Sequence, residues 1–183
     1  SPKDSILAAR EVVRSFDPTV YFYGEGWNFG EVTNNRLFVQ AKQIDMAGTE
    51  VGTFNDRPRD PIREAVLFSA DASDDTLRKQ DLIRIGLAGT LKDYVLESYQ
   101  GISGPASSFN GAGYAEDPAD IINYVSKHDN ETLWDKLQYG LDASLTVTER
   151  VRAQNIAIAI PLMSQGIPFL QMGGDFLRSK SMD

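Results

Sequence analysis

Cysteine is absent from the chain, which excludes disulfides, thiolate nucleophiles and Cys-ligated zinc. The single histidine, His128, rules out a cluster of His metal ligands. A Ser–His–Asp triad would have to be built on that one imidazole. No apolar run reaches the ~18 residues a membrane-spanning helix needs. Basic residues are the minority, 18 Lys and Arg against 26 Asp and Glu, for a formal net charge of −8. The clustered cations that phosphate backbones require are therefore missing, and no nucleic-acid partner is expected. The start, Ser1-Pro2-Lys3-Asp4, opens directly into a helical pattern with no signal peptide. For a piece of a longer chain that says nothing of where the parent goes.

What is present is the balance of a soluble globular domain, 42% hydrophobic and 24% charged over 183 residues. The chain is long enough for one domain and its core. Ser5 to Phe16 carries apolar residues at helical spacing, and Asp17-Pro18 ends it. Val20 to Tyr23 reads as a strand buried on both faces, stopping at Gly24-Glu25-Gly26-Trp27. A polar loop follows, then a second strand from Val51 to Asn55. Next come a helix from Arg59 to Phe68, with Pro61 in its first turn, and a helix from Thr76 to about Ala88. Leu91 to Leu96 suits either a continued helix or a strand, and Gly101 to Gly113 reads as a loop. Ile121 to Val125 is a third strand. Thr148 to Met163 is a helix offering Val151, Ala153, Ile156, Ile160 and Leu162 for burial, and Gly166 to Gln171 is a fourth strand. Strands alternating with helices predict a parallel sheet, and periodicity alone leaves a closed barrel and an open sheet equally open.

Two strand ends gather polar groups, where parallel α/β folds place active sites. Glu25 sits between glycines with Trp27 two residues on. A carboxyl beside an indole suits a general acid, although an ordinary Gly-rich turn fits the same residues. His128-Asp129-Asn130 ends the third strand. There Asp129 suits an ionised group beneath a sugar ring and His128 a donor to a sugar hydroxyl, while a capped turn is the plainer reading. Together they fit glycoside hydrolysis, which uses paired carboxyl groups. The acidic run Asp71, Asp74 and Asp75 lacks the Gly and closing Glu of an EF-hand loop and reads as a helix cap.

Tyr-Phe-Tyr-Gly-Glu-Gly-Trp (21–27) resembles the α-amylase clan segment with the general acid/base. Val-Ser-Lys-His-Asp-Asn-Glu-Thr-Leu-Trp-Asp (125–135) resembles its segment with the transition-state-stabilising aspartate. Residues 52–63 are similar to the stretch around the clan's sixth barrel strand, 165–173 to its eighth strand, and 177–181 to the loop after it. The wording is nearest to type I pullulanases and limit dextrinases. The resemblance implies an α/β fold, a partial (β/α)8 barrel of about strands five to eight, occupying 1–183 as the C-terminal half of a catalytic barrel. It implies Glu25 as acid/base and Asp129 as stabiliser. His128, Trp27 and Asn130 would hold substrate, and Tyr114, with Gly111 onward, would form part of the rim. It implies α-1,6 branch cleavage in pullulan, glycogen or starch, with retention and with neither cofactor nor metal. The partners implied are the α-glucan and the missing barrel half, with self-association through exposed strand edges and no membrane. The clan's nucleophile, an Arg-x-Asp aspartate, has no counterpart after an apolar strand here and would lie upstream of Ser1. A non-catalytic glucan-binding chain and a clan enzyme of α-1,4 specificity are the rival readings.

Overall fold

A computed structural model describes residues 1–30 and 32–181. Helix α1 (Lys3–Phe16) leads to strand β1 (Tyr23–Gly24), and a long connection carrying the one-turn helix α2 (Gln43–Met46) reaches β2 (Gly52–Asn55). Helices α3 (Asp56–Arg63) and α4 (Asp74–Leu87) follow, then strands β3 (Val95–Glu97), β4 (Ser103–Pro105) and β5 (Ile121–Asn123). Helices α5 (Leu133–Gly140) and α6 (Val147–Met163) lead to β6 (Ile167–Pro168). Four strands form one sheet in the order β1-β2-β5-β6. Every neighbouring pair in it is parallel, with Tyr23 opposite Gly52, Thr53 opposite Ile121 and Ile122 opposite Ile167. The expected parallel α/β sheet is thus the fold, and β3 and β4 add a separate antiparallel hairpin.

Because successive strand residues point to opposite faces, β5 divides its apolar side chains between two clusters. Ile122, with Tyr124 just beyond the strand, packs against Phe54, Tyr21, Trp27 and Phe169. Ile121 packs with Tyr114, Ala115 and Leu91. In the first cluster Phe54 meets Tyr124 and Phe169 edge-on, at centroid distances of 4.8 and 5.2 Å. A third cluster lies among the helices, where Ile62, Ile83, Val125, Leu133, Leu137 and Ala157 come together.

Several expectations change. The first strand is not buried on both faces: Tyr23 and Gly24 are exposed because β1 is an outer strand of the sheet. Helix α3 starts at Asp56, capped by the Asn55 side chain, so Pro61 falls inside it rather than in its first turn. The helix stops at Arg63 because Ala65 is left-handed, at φ 59°, and Val66–Phe68 continues only as a 3₁₀ turn. The Gly- and Ser-rich stretch holds β4, and the ambiguous stretch before it runs into β3. Helix α6 buries Ala153, Gln154, Ala157 and Pro161, while Ile156 and Leu162 stay exposed. The acidic run after Ala70 is a helix cap: the Ser73 and Thr76 hydroxyls donate to Asp71 Oδ2 at 2.6 and 2.8 Å. Among the described residues no helix is long and apolar enough to cross a membrane.

Candidate active site

Glu25 follows β1 directly, and the backbone around it is fixed by its neighbour β2. Gly26 has φ +70°, and a Cβ there would lie 2.8 Å from the Thr53 side chain, so only glycine lets the chain turn this close to β2. The Gly26 carbonyl accepts from Gln43 N at 3.0 Å, tying the turn to α2. His128, Asp129 and Asn130 lie past β5, in a loop held from below. Lys180 Nζ donates to the carbonyls of His128 and Asn130, the latter at 2.6 Å. Asp135 at the start of α5 accepts from Ser179 Oγ at 2.5 Å and Lys180 N at 2.7 Å. Arg63 donates to the Glu131 carbonyl at 2.7 Å.

These elements bring Glu25, His128 and Asp129 together across about a hundred residues of chain: one ligand atom from each lies within 4.8 Å of the others. Between the carboxylates sits Lys127. Its Nζ donates to Glu25 Oε1, and to Asp129 Oδ2 at 2.9 Å. Its side chain is 5% exposed. His128 turns outward, 78% exposed, with Nε2 3.3 Å from Asp129 Oδ1. The hydrogen bond from Lys127 holds the Asp129 carboxyl below its usual range, against a smaller opposing effect of desolvation, and the charges of Lys127, His128 and Lys180 add to it. Burial works against the Lys127 ammonium, but its bonds to Glu25 and Asp129 outweigh that and raise it above its ordinary range. Glu25, His128 and Asp129 have the donor types of a metal site. Lys127 already bonds to both carboxylates, and a cation would have to displace it.

Trp27 and Asn130 also reach this region. A cleft of about 440 Å³ is lined by Trp27, Phe29, Asp56, Arg59, Asp129 and Asn130. A neighbouring hollow of about 380 Å³ includes Glu25 and shares Trp27 and Phe29. The Arg59 guanidinium lies 5.9 Å from the Trp27 ring centroid and donates to Tyr124 Oη at 2.5 Å. Tyr114 does not join them. It is 6% exposed, with Thr53 Oγ1 3.3 Å from its hydroxyl and the Arg57 guanidinium 4.9 Å from its ring centroid. Burial above all pushes its phenol up to about 12. It packs against Ala115 and Ile121. A larger cavity of about 690 Å³, between α3, α4 and the hairpin, contains none of the expected site residues. Lys127, Arg59 and Phe29 were not singled out by sequence reasoning.

No protein-family model matches the chain. The pullulanase of Klebsiella pneumoniae is 40% identical over 207 aligned residues, covering 98% of this chain and 19% of that protein. This chain is homologous to a segment of the pullulanases. Pullulanase 1, chloroplastic, of Arabidopsis thaliana is 38% identical over 210 residues, covering 99% of this chain and 22% of its own length. Among solved structures, the maltotriose complex of PulA from Klebsiella pneumoniae superposes with a TM-score of 0.90 at 37% identity, over 100% of this chain and 22% of that one. The pullulanase-like segment therefore spans about a fifth of the length of the relatives it matches.

Proposed function

We propose that this chain is the acid/base-bearing part of a retaining glycoside hydrolase that cleaves α-1,6 branch linkages in pullulan-, glycogen- or starch-type glucans. The observation that carries the reading is the meeting of Glu25 and Asp129, from the ends of two parallel strands, at two neighbouring hollows that share Trp27 and Phe29. The pullulanase homology and the maltotriose bound in a homologous structure support the substrate class. The parallel order β1-β2-β5-β6 supports four consecutive strands, the fifth to eighth, of an eight-stranded β/α barrel.

In this reading Glu25 gives its proton to the glycosidic oxygen as the bond from that oxygen to the anomeric carbon breaks. A carboxylate from outside these residues, expected in an upstream Arg-x-Asp, bonds to the anomeric carbon from the opposite face. Glu25 then takes a proton from the water that releases the sugar. That carboxylate and Glu25 would lie ~5–5.5 Å apart, as retention requires. Asp129 stays ionised against the oxocarbenium-like ring, His128 donates to a sugar hydroxyl, and Trp27 and Asn130 line the glucose subsites. The test is to incubate the full-length protein with pullulan and a branched dextrin, assay new reducing ends, and follow the first-formed anomer by proton NMR. Reducing ends released with the α configuration are expected. Binding without turnover would favour a glucan-binding protein, β-anomer release would remove the double displacement, and cleavage confined to α-1,4 bonds would overturn the linkage.

A further inference from the structure

We propose that Lys127 is a positioning residue that pins Glu25 and Asp129 to a common counter-charge in the ligand-free cleft and remains with Asp129 when glucan enters. The inference rests on the roles given above to Glu25 and Asp129. Lysine is almost never buried unless it is paired, yet Lys127 is buried while its neighbour His128 faces solvent. The ammonium bonds the carboxylate of Glu25, 102 residues away in the chain, as well as that of Asp129. Its nitrogen lies 5.3 Å from the centroid of Phe54, whose ring is fixed edge-on by Tyr124 and Phe169. The cation therefore rests on a rigid aromatic floor, an arrangement that is itself attractive.

Lys127 sets one positive charge against both carboxylates, and an opposite charge this close favours the ionised form of Asp129. The other charged groups around Asp129 are His128 beside it, Lys180 from the C-terminal loop, Arg59 and Asp56 from α3, and Glu25. Among the described residues, Lys127 alone bonds to both Asp129 and Glu25. Glu25 cannot hold the ammonium and protonate a leaving oxygen at the same time. A glycosidic oxygen arriving at Glu25 must therefore take the place of Lys127 there, leaving the ammonium to Asp129.

The test has two arms. In the 183-residue chain, the Asp129 side-chain carboxyl is titrated by carbon-13 NMR in wild type, Lys127→Met and Lys127→Arg. The proposal expects the Asp129 titration to move to higher pH in Lys127→Met and back towards wild type in Lys127→Arg. In the full-length protein, Lys127→Met should lower turnover of pullulan about 100-fold, the order seen when one fixed charge acting on a reacting centre is lost. KM should change much less, and the acidic limb of the pH–rate profile should move to higher pH, with Lys127→Arg restoring part of both. Lys127→Gln, with a hydrogen-bonding head but no charge, replaces Met if circular dichroism shows Met to be poorly folded. An unmoved Asp129 titration overturns the proposal, even if the rate falls, because Lys127 would then be merely structural. A wild-type full-length protein without glucan hydrolysis, in which the Asp129 titration still moves in Lys127→Met, sinks the functional reading and leaves the placement of Lys127 standing.

Discussion

Asp129 is half-exposed, and besides the bond from Lys127 to its carboxylate its loop is held through backbone carbonyls, since Lys180 bonds to those of His128 and Asn130. Asp129→Asn should therefore leave the loop in place while removing the charge that steadies the transition state. We expect turnover of pullulan in the full-length protein to fall about 100-fold or more, with the melting temperature within a few degrees of wild type. A comparable loss of both would mark Asp129 as structural. The convergence of Glu25, His128 and Asp129 could be expected from the sequence because each follows an apolar run, and polar groups at strand ends need no tertiary information to be noticed. The place of Tyr114 could not. It meets Thr53, 61 residues away, only in the folded chain, and its rim role was implied by the family resemblance alone. Lys127 was missed because a lysine beside the His-Asp pair reads as solvated surface, and only the convergence of the two strand ends gives it partners.

At the scale of elements, the approach of the chain to β5 depends on one buried carboxylate. Asp120 is fully buried and accepts from the backbone N–H groups of Gly48 and Glu50, at 2.8 and 2.9 Å, and of Glu116 and Asp117, both at 3.0 Å. It thereby ties the turn before β2 to the turn before β5. Asp120→Ala leaves four donors without their acceptor, and we expect a loss of about 3 kcal/mol or more in urea unfolding. Thr146→Ala, which removes the exposed capping box of α6, should cost about 1 kcal/mol. Equal effects would mean that the Asp120 network does not hold the two turns together. Helices α4 and α6 and the isoleucine-bearing strand β5 were legible because local chemistry and packing agree there, whereas α5, also capped by a side chain, was not expected. The β3–β4 hairpin was hidden, since β4 is Ser103-Gly104-Pro105, residues that individually favour loops. The span of β1 was displaced for another reason. Val20 to Phe22 has strand composition, but the ladder begins only where β2 offers a partner, at Tyr23 opposite Gly52.

For the whole molecule, the sheet has two outer strands, β1 and β6, each with a neighbour on one side only among the described residues. Large apolar side chains also lie exposed, among them Tyr23 in β1 itself, Phe16 before it, and Met172 and Phe176 after β6 in the chain. Unpaired edges with apolar flanks invite association. We expect the isolated chain to self-associate in sedimentation velocity, and a sharp monomer at high concentration would contradict that. The isolated chain should also release no reducing ends from pullulan or a branched dextrin, because a retaining mechanism needs a second carboxyl that we place outside it. Release that vanishes in Glu25→Gln would place a complete site within this chain. The central claim, that Glu25 supplies the proton for scission, is tested most directly by the kcat of the full-length protein carrying Glu25→Gln on pullulan. A general acid acts on the transition state, so kcat should fall about 10²- to 10⁴-fold with glucan binding little changed. A kcat close to wild type would contradict the account.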